Sequence, residues 1–254
     1  MYQQNDSKLK ILLSNVKQFI IFTIMIAYFP IVMSFVSAEK SKIECIDILT
    51  KINNNTNNIM ITADALSQII RRNFPDLVGT PLKEMKLDEM ERTIEQSAVV
   101  KRCEMYTTLG GILHIEITQR EPIMHVFTSN SSYYMDEESY KIAARSDMMA
   151  QTVVVNGNVD TMLDGEELIR LCKYINNDSF WKSFIEQVFV TKQLEFILIP
   201  RVGDHIIEFG TAERMDEKFN LLRNLYTKGW QPKEWNIYKK VNLKYKGQVV
   251  CTKR

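Results

Sequence analysis

Polar and apolar positions divide the chain into one long apolar run followed by segments that alternate between helical and strand periods. From Phe19 to Ala38, FIIFTIMIAYFPIVMSFVSA carries no charged residue, and eleven of its twenty positions are Phe, Ile or Val. As a helix rising ~1.5 Å per residue, this run covers the ~30 Å hydrocarbon layer of a bilayer. Its side chains favour insertion, with no charge to oppose them. Pro30 can kink such a helix without preventing it from spanning. A transmembrane helix is therefore expected over residues 18–38. Lys8, Lys10 and Lys17 precede it against a single acid, Asp6. That bias keeps residues 1–17 cytoplasmic and puts the rest of the chain outside. The alternative is a cleaved signal peptide, because VSA stands before Glu39. The run is longer than the ~7 to 15 apolar residues usual there.

The first region beyond the run reads strand, helix, helix, strand, strand. KIECIDIL (residues 42–49) alternates as a strand and leads into an Asn-rich loop. TADALSQIIRR reads as a helix with Thr62 as N-cap, ending before Pro75. LDEMERTIEQSA repeats Leu87, Met90 and Ile94 at helical spacing. VVKRCEMY and ILHIEIT then flank TTLGG as a hairpin, and a boundary is expected at Thr118 to Pro122.

The second region contains more strands. IMHVFT, SYYMD and TVVVN read as strands, and GEELIRLCKYI as a helix with Leu168, Leu171, Cys172 and Ile175 on one stripe. FIEQVFVT, LEFILIP and HIIEFG form an expected meander, turning at Lys192-Gln193 and at Val202-Gly203-Asp204. A second helix, capped by Thr211, runs through AERMDEKFNLLRNLYTK to Gly229. The fold class is α+β, with a mostly antiparallel second region carrying two helices.

The closing stretch, YKKVNLKYKGQVVCTKR, has period two. Val241, Leu243, Tyr245, Val249 and Cys251 fall on one side, and Lys240, Asn242, Lys244, Lys246 and Gln248 on the other. It reads as one strand at a sheet edge, where lysines discourage stray pairing. A partner strand could be captured there by main-chain hydrogen bonds. Tyr245 is the expected aromatic anchor, and Lys240, Lys244 and Lys246 would select an acidic segment.

Composition removes several other functions. A formal charge of +1 gives no electrostatic reason to bind nucleic acid. Four scattered cysteines and three histidines show no metal-ligand spacing, so no metal or cofactor is expected, and buried free thiols are preferred over two disulfides. No nucleophile elbow, zinc-protease helix, phosphate loop or dinucleotide fingerprint occurs. His114 is expected on the solvent side of a strand, His125 is harder to place, and His205 follows a turn where a polar residue needs no explanation. Asn54, Asn130 and Asn177 match the N-x-[ST] pattern, near chance in an Asn-rich chain.

The order of an apolar anchor, a β-α-α-β-β module ending in TQREP, then YYMD, VVVNG, PRVGDHIIEFG, FNLLRNLY, GW and YKKVNLKYKGQVVC resembles the FtsQ (DivIB) family of bacterial cell-division proteins. The resemblance implies a POTRA domain over residues 42–118 and an FtsQ-type β-domain over 119–254. It also implies a non-enzymatic scaffold without a small-molecule substrate, in the inner membrane at the division septum. Its partners would be FtsB- and FtsL-like proteins and, through them, the septal peptidoglycan synthase FtsW/FtsI. The POTRA domain is implied in recruitment. The terminal strand is where FtsB adds a strand, giving as expected contacts Lys240, Asn242, Lys244, Tyr245, Lys246, Gly247, Gln248, Val249 and Val250. Ser139 and Ala144 stand where such sequences commonly carry Gly and then Pro, so that turn is expected to differ. Two other classes remain open. A POTRA-bearing assembly or secretion factor would need a barrel, for which the layout leaves no room, and an anchored cell-wall enzyme would need a catalytic cluster.

Overall fold

The computed structural model describes residues 21–28, 30, 43–53, 58–159 and 166–254. Residues 21–28 are helical, and Phe22, Ile24 and Met25 are exposed. The rest of the expected span over 18–38, apart from residue 30, lies outside the described residues. Among the described residues, no helix is long and apolar enough to cross a membrane.

The first unit has the expected order. Strand β1 (Asp47–Asn53), helices α1 (Ala63–Asn73) and α2 (Leu87–Glu95), and strands β2 (Val100–Thr107) and β3 (Ile112–Gln119) follow one another. Thr62 caps α1, its hydroxyl accepting the Ala65 N–H at 3.2 Å. The sheet order is β1-β3-β2, with β1 parallel to β3 and β2 antiparallel to it. Leu66 and Ile70 of α1 and Met90 and Ile94 of α2 bury against Leu113, Ile115 and Ile117. The strand expected over 42–49 begins later. Residues 43–46 run beside Gly79 to Pro81, with Cys45 donating to Thr80 and accepting from Gly79, and regular pairing starts only at Asp47.

The second unit is a nine-stranded sheet of order β12-β11-β10-β9-β8-β7-β4-β5-β6. Its strands are β4 (Pro122–Phe127), β5 (Ser132–Asp136), β6 (Lys141–Ala143), β7 (Val153–Gly157), β8 (Ile185–Val190), β9 (Phe196–Pro200), β10 (Ile206–Gly210), β11 (Tyr238–Asn242) and β12 (Val250–Lys253). Five adjacent pairs are antiparallel and three, β4/β7, β7/β8 and β10/β11, are parallel. Among the described residues, three α-helices rather than two pack on one face: α3 (Glu166–Asn177), α4 (Ser179–Phe184) and α5 (Met215–Asn224). The extra helix is short, so its apolar period was too brief to read. Asp178 makes it possible, accepting the N–H groups of Phe180 and Trp181. Helix α5 starts at Met215, not after Thr211, because Arg214 at φ 53° breaks the chain direction just before it.

The two units share apolar surface. Tyr134, Ile142 and Met148 of the second bury in the core of the first. Ile59 and Met149 exchange backbone hydrogen bonds, and Gln119 is held between Asn58 C=O at 2.5 Å and Met60 N–H at 3.0 Å. Arg120 pairs with Asp136 at 2.8 Å and lies over the Tyr140 ring. In the turn below, Ser139 takes φ 65°, the left-handed conformation that glycine would adopt without strain.

Candidate docking edge

The chain from Tyr238 onward is a hairpin, not the single strand expected. Strand β11 adds parallel to β10, the chain turns at Tyr245 to Gly247, and β12 returns antiparallel to β11 as the outermost strand. Gly247 at φ 68° makes the reversal possible. Lys246-Gly247 between two apolar alternations was the available signal. The turn is fastened to α5. Gly247 N–H donates to Glu217 Oε1 at 2.7 Å, and Arg214 donates to the Lys244 carbonyl at 3.3 Å.

The hairpin redistributes the expected contact residues. Val241 and Leu243 are fully buried, and Val249 and Cys251 pack against the same core. Tyr245, expected beside them, is 58% exposed at the turn. Gln248 and Val249 lead into β12, and Val250, its first residue, is exposed. The lysine row is largely neutralised from within. Lys240 pairs with Glu208 at 2.7 Å, Lys244 pairs with Glu195, and Asn242 donates to Glu208 at 2.9 Å. Lys246 makes no ion pair among the described residues, so it alone of the three expected lysines keeps an uncompensated charge.

Strand alternation identifies the open backbone groups. Arg254 N–H donates to Ile237 C=O at 3.0 Å, so Arg254 faces β11. The register Lys240↔Thr252, Val241↔Cys251 and Asn242↔Val250 then turns Thr252 and Val250 inward, and the N–H and C=O groups of Cys251 and Lys253 outward. These edge residues lie beyond most of the stretch expected from sequence. Ile237 and Val250, both exposed, lie at opposite ends of this edge.

Beneath the hairpin lies a buried aromatic layer. His205 is 2% exposed, and its Nε2 is hydrogen-bonded to the Tyr226 hydroxyl. Trp230 meets His205 edge-on and stacks on Tyr238 at 4.6 Å. His205 therefore supports the edge and is not a turn residue without a role. Burial holds its pKa below the ordinary value, while Asp204 opposes that shift and Arg254 adds to it. Arg254 also donates to the Asp204 carbonyl at 2.8 Å, tying the end of β12 to the loop before β10.

Elsewhere, a cleft of about 470 Å³ separates β1 from α1, lined by Ile48, Thr50, Ile70, Arg71 and Phe74. His114 is half-buried and stacks on Tyr106, and His125 lies between Phe127 and Tyr134 on the helix-free face. The four cysteines are free thiols, three of them buried. Among the described residues, no three His, Cys, Asp or Glu side chains converge as a metal site would require.

Comparison with known proteins agrees with this architecture. Residues 121–252 match the family described as FtsQ/DivIB, C-terminal related, and residues 43–118 match a POTRA-like domain. The chain is similar to the cell division protein FtsQ of Rickettsia felis, of Rickettsia conorii and of Rickettsia prowazekii, in each case 26% identical over 96 residues, 38% of this chain. The chain spans 36% of the length of these relatives.

Proposed function

The chain belongs to the FtsQ/DivIB family, and from that premise we propose that it is a non-enzymatic, membrane-anchored scaffold of the bacterial division machinery. It holds FtsB- and FtsL-like proteins, and through them the septal synthase FtsW/FtsI, by adding a partner strand to β12. Residues 18–38 are the single anchor, residues 1–17 stay in the cytoplasm, and the POTRA domain (42–118) and the β-domain (119–254) stand in the periplasm at the septum.

One observation carries the reading: among the described residues, β12 ends the sheet with its outer backbone groups unmatched by any further strand. Each main-chain bond to a partner contributes a net ~0.5 to 1.5 kcal/mol, so several are needed, together with apolar contacts. Val250 and Tyr245 supply such contacts. Because Lys240 and Lys244 are already paired, specificity rests on backbone register and shape more than on the lysine row.

Proline, which removes one N–H, tests the edge. Lys253→Pro deletes an outward donor, and binding of an FtsB-like partner should fall while the thermal midpoint holds. Thr252→Pro deletes an inward donor and should weaken the hairpin itself. Unchanged binding by a folded Lys253→Pro protein would remove β12 as the docking site. A fluorescent fusion tests the wider role, since uniform membrane signal with no midcell band in dividing cells is incompatible with it.

A further inference from the structure

The most exposed aliphatic side chains of the POTRA-like unit gather at one end. Ile46 is 67% exposed, Val78 62% and Leu109 71%. Ile46 N–H donates to the Gly111 carbonyl at 2.8 Å, in the turn that carries Leu109, and Gly79 N–H, next to Val78, donates to the Cys45 carbonyl at 2.7 Å. Sheet register places this end. Asp47 begins β1 opposite Ile112, the start of β3, and β2 finishes at Thr107 opposite Leu113. The chain therefore enters the unit here and leaves from the opposite end, where Gln119 leads into β4.

The distance from the apolar run is short. Between Ala38 and Ile43 lie only Glu39 to Lys42. Five residue steps reach at most roughly 18 Å even when fully extended. The end carrying three solvated aliphatic groups, which begins at Ile43, is thus tethered within roughly 18 Å of wherever residue 38 sits. The charges beside these groups in sequence, Glu44, Asp47 and Asp76, are exposed acids, so anionic headgroups are not the attraction. A bilayer interface accepts such side chains and needs no complementary charge.

We propose that Ile46, Val78 and Leu109 form a membrane-contacting end of the first unit, dipping into the bilayer interface and holding the unit upright on its anchor. The proposal rests on the reading of residues 18–38 as a span, which supplies the tether. Short tethering lets three modest apolar contacts act together, because the effective concentration of the surface is high.

The test uses the full chain in phosphatidylcholine vesicles with brominated acyl chains, which quench nearby tryptophan. Leu109→Trp and Val78→Trp report on the proposed contact, Phe22→Trp reports on the span, and the wild-type signal from Trp181, Trp230 and Trp235 is subtracted. Leu109→Trp should lose about half of its added emission, as an interfacial side chain does, and equally so when anionic lipid is included. If Phe22→Trp is quenched and both reporters stay bright, the contact is refuted and the span survives. If none is quenched, the span fails and takes the contact with it. Reporters left bright by brominated lipid, yet shielded from a water-soluble quencher in native membranes, would assign this end to a protein partner and overturn the proposal.

Discussion

Gly247 at the C-terminal turn donates its N–H to Glu217 of α5 at 2.7 Å, so a helix on the face of the sheet fixes the hairpin at its edge. Glu217→Ala should cost about 1 kcal/mol, an exposed charge-assisted bond, and should speed amide exchange across residues 243–250 before anything else moves. Gly247→Ala meets no atom within 4 Å but must hold φ 68°, for a similar cost of about 1 kcal/mol. Hydrogen exchange followed by mass spectrometry separates this local opening from global unfolding.

His205 makes stability depend on pH. Burial depresses its folded pKa below 6.5, so below that value the unfolded chain binds the extra proton and the native state does not. Stability is then full above pH ~6.5 and lost as pH falls toward the folded value, the direction linkage requires. Half-buried His125, also depressed by burial, adds to the same window. Thermal midpoints measured from pH 8 to 5 should be flat and then decline. His205→Gln should lower the midpoint at pH 8 and flatten the decline, and a decline of unchanged steepness in that variant would exclude His205 as a source.

Arg120 is 14% exposed, and Asp136, which it faces, only 4%. Removing the arginine leaves a carboxylate that still accepts the N–H groups of Glu138 and Tyr140 but has lost its buried cation. Arg120→Ala should destabilise the chain by about 3 kcal/mol, readable as a shifted urea midpoint. Asp136→Asn in the same background should recover part of that loss, since no buried charge is then unpaired.

Deleting residues 42–118 uncovers Tyr134, Ile142 and Met148, at present 8%, 0% and 8% exposed. Such a protein should bind hydrophobic dye and lose stability, with roughly 1.5 to 3 kcal/mol of burial forgone for each large side chain. Tyr134→Ser, Ile142→Ser and Met148→Ser in the deleted chain should restore monodisperse behaviour in size-exclusion chromatography. Recruitment experiments on the plain deletion would otherwise confuse a lost partner with a damaged sheet.

Local periodicity and capping carried much of this fold. Thr62 before an apolar stripe, and the alternation of Val100 to Gln119, led to elements found nearly where they were expected. What escaped depended on distant partners. The terminal stretch alternates on both sides of Gly247, so period two could not distinguish one long strand from two short ones. Tyr245 shares the parity of Val241 and Leu243, but it sits in the turn itself, where strand alternation no longer sets the direction of a side chain. The lysine row looked available because the acids that neutralise it are distant in sequence, Glu208 in β10 and Glu195 in the turn before β9. His205 looked incidental because its neighbour Tyr226 is 21 residues away.

The strand order also sets a length. β6 lies at the end of the sheet that carries Ile142 into the POTRA core, and β12 lies at the other end. Eight inter-strand gaps of ~4.8 Å separate them, roughly 38 Å before twist shortens the path. A molecule seated on the POTRA side and another seated on β12 are thus held apart by the width of a small protein. The sheet acts as a ruler, and any influence one occupant exerts on the other has to cross eight hydrogen-bonded ladders to be felt.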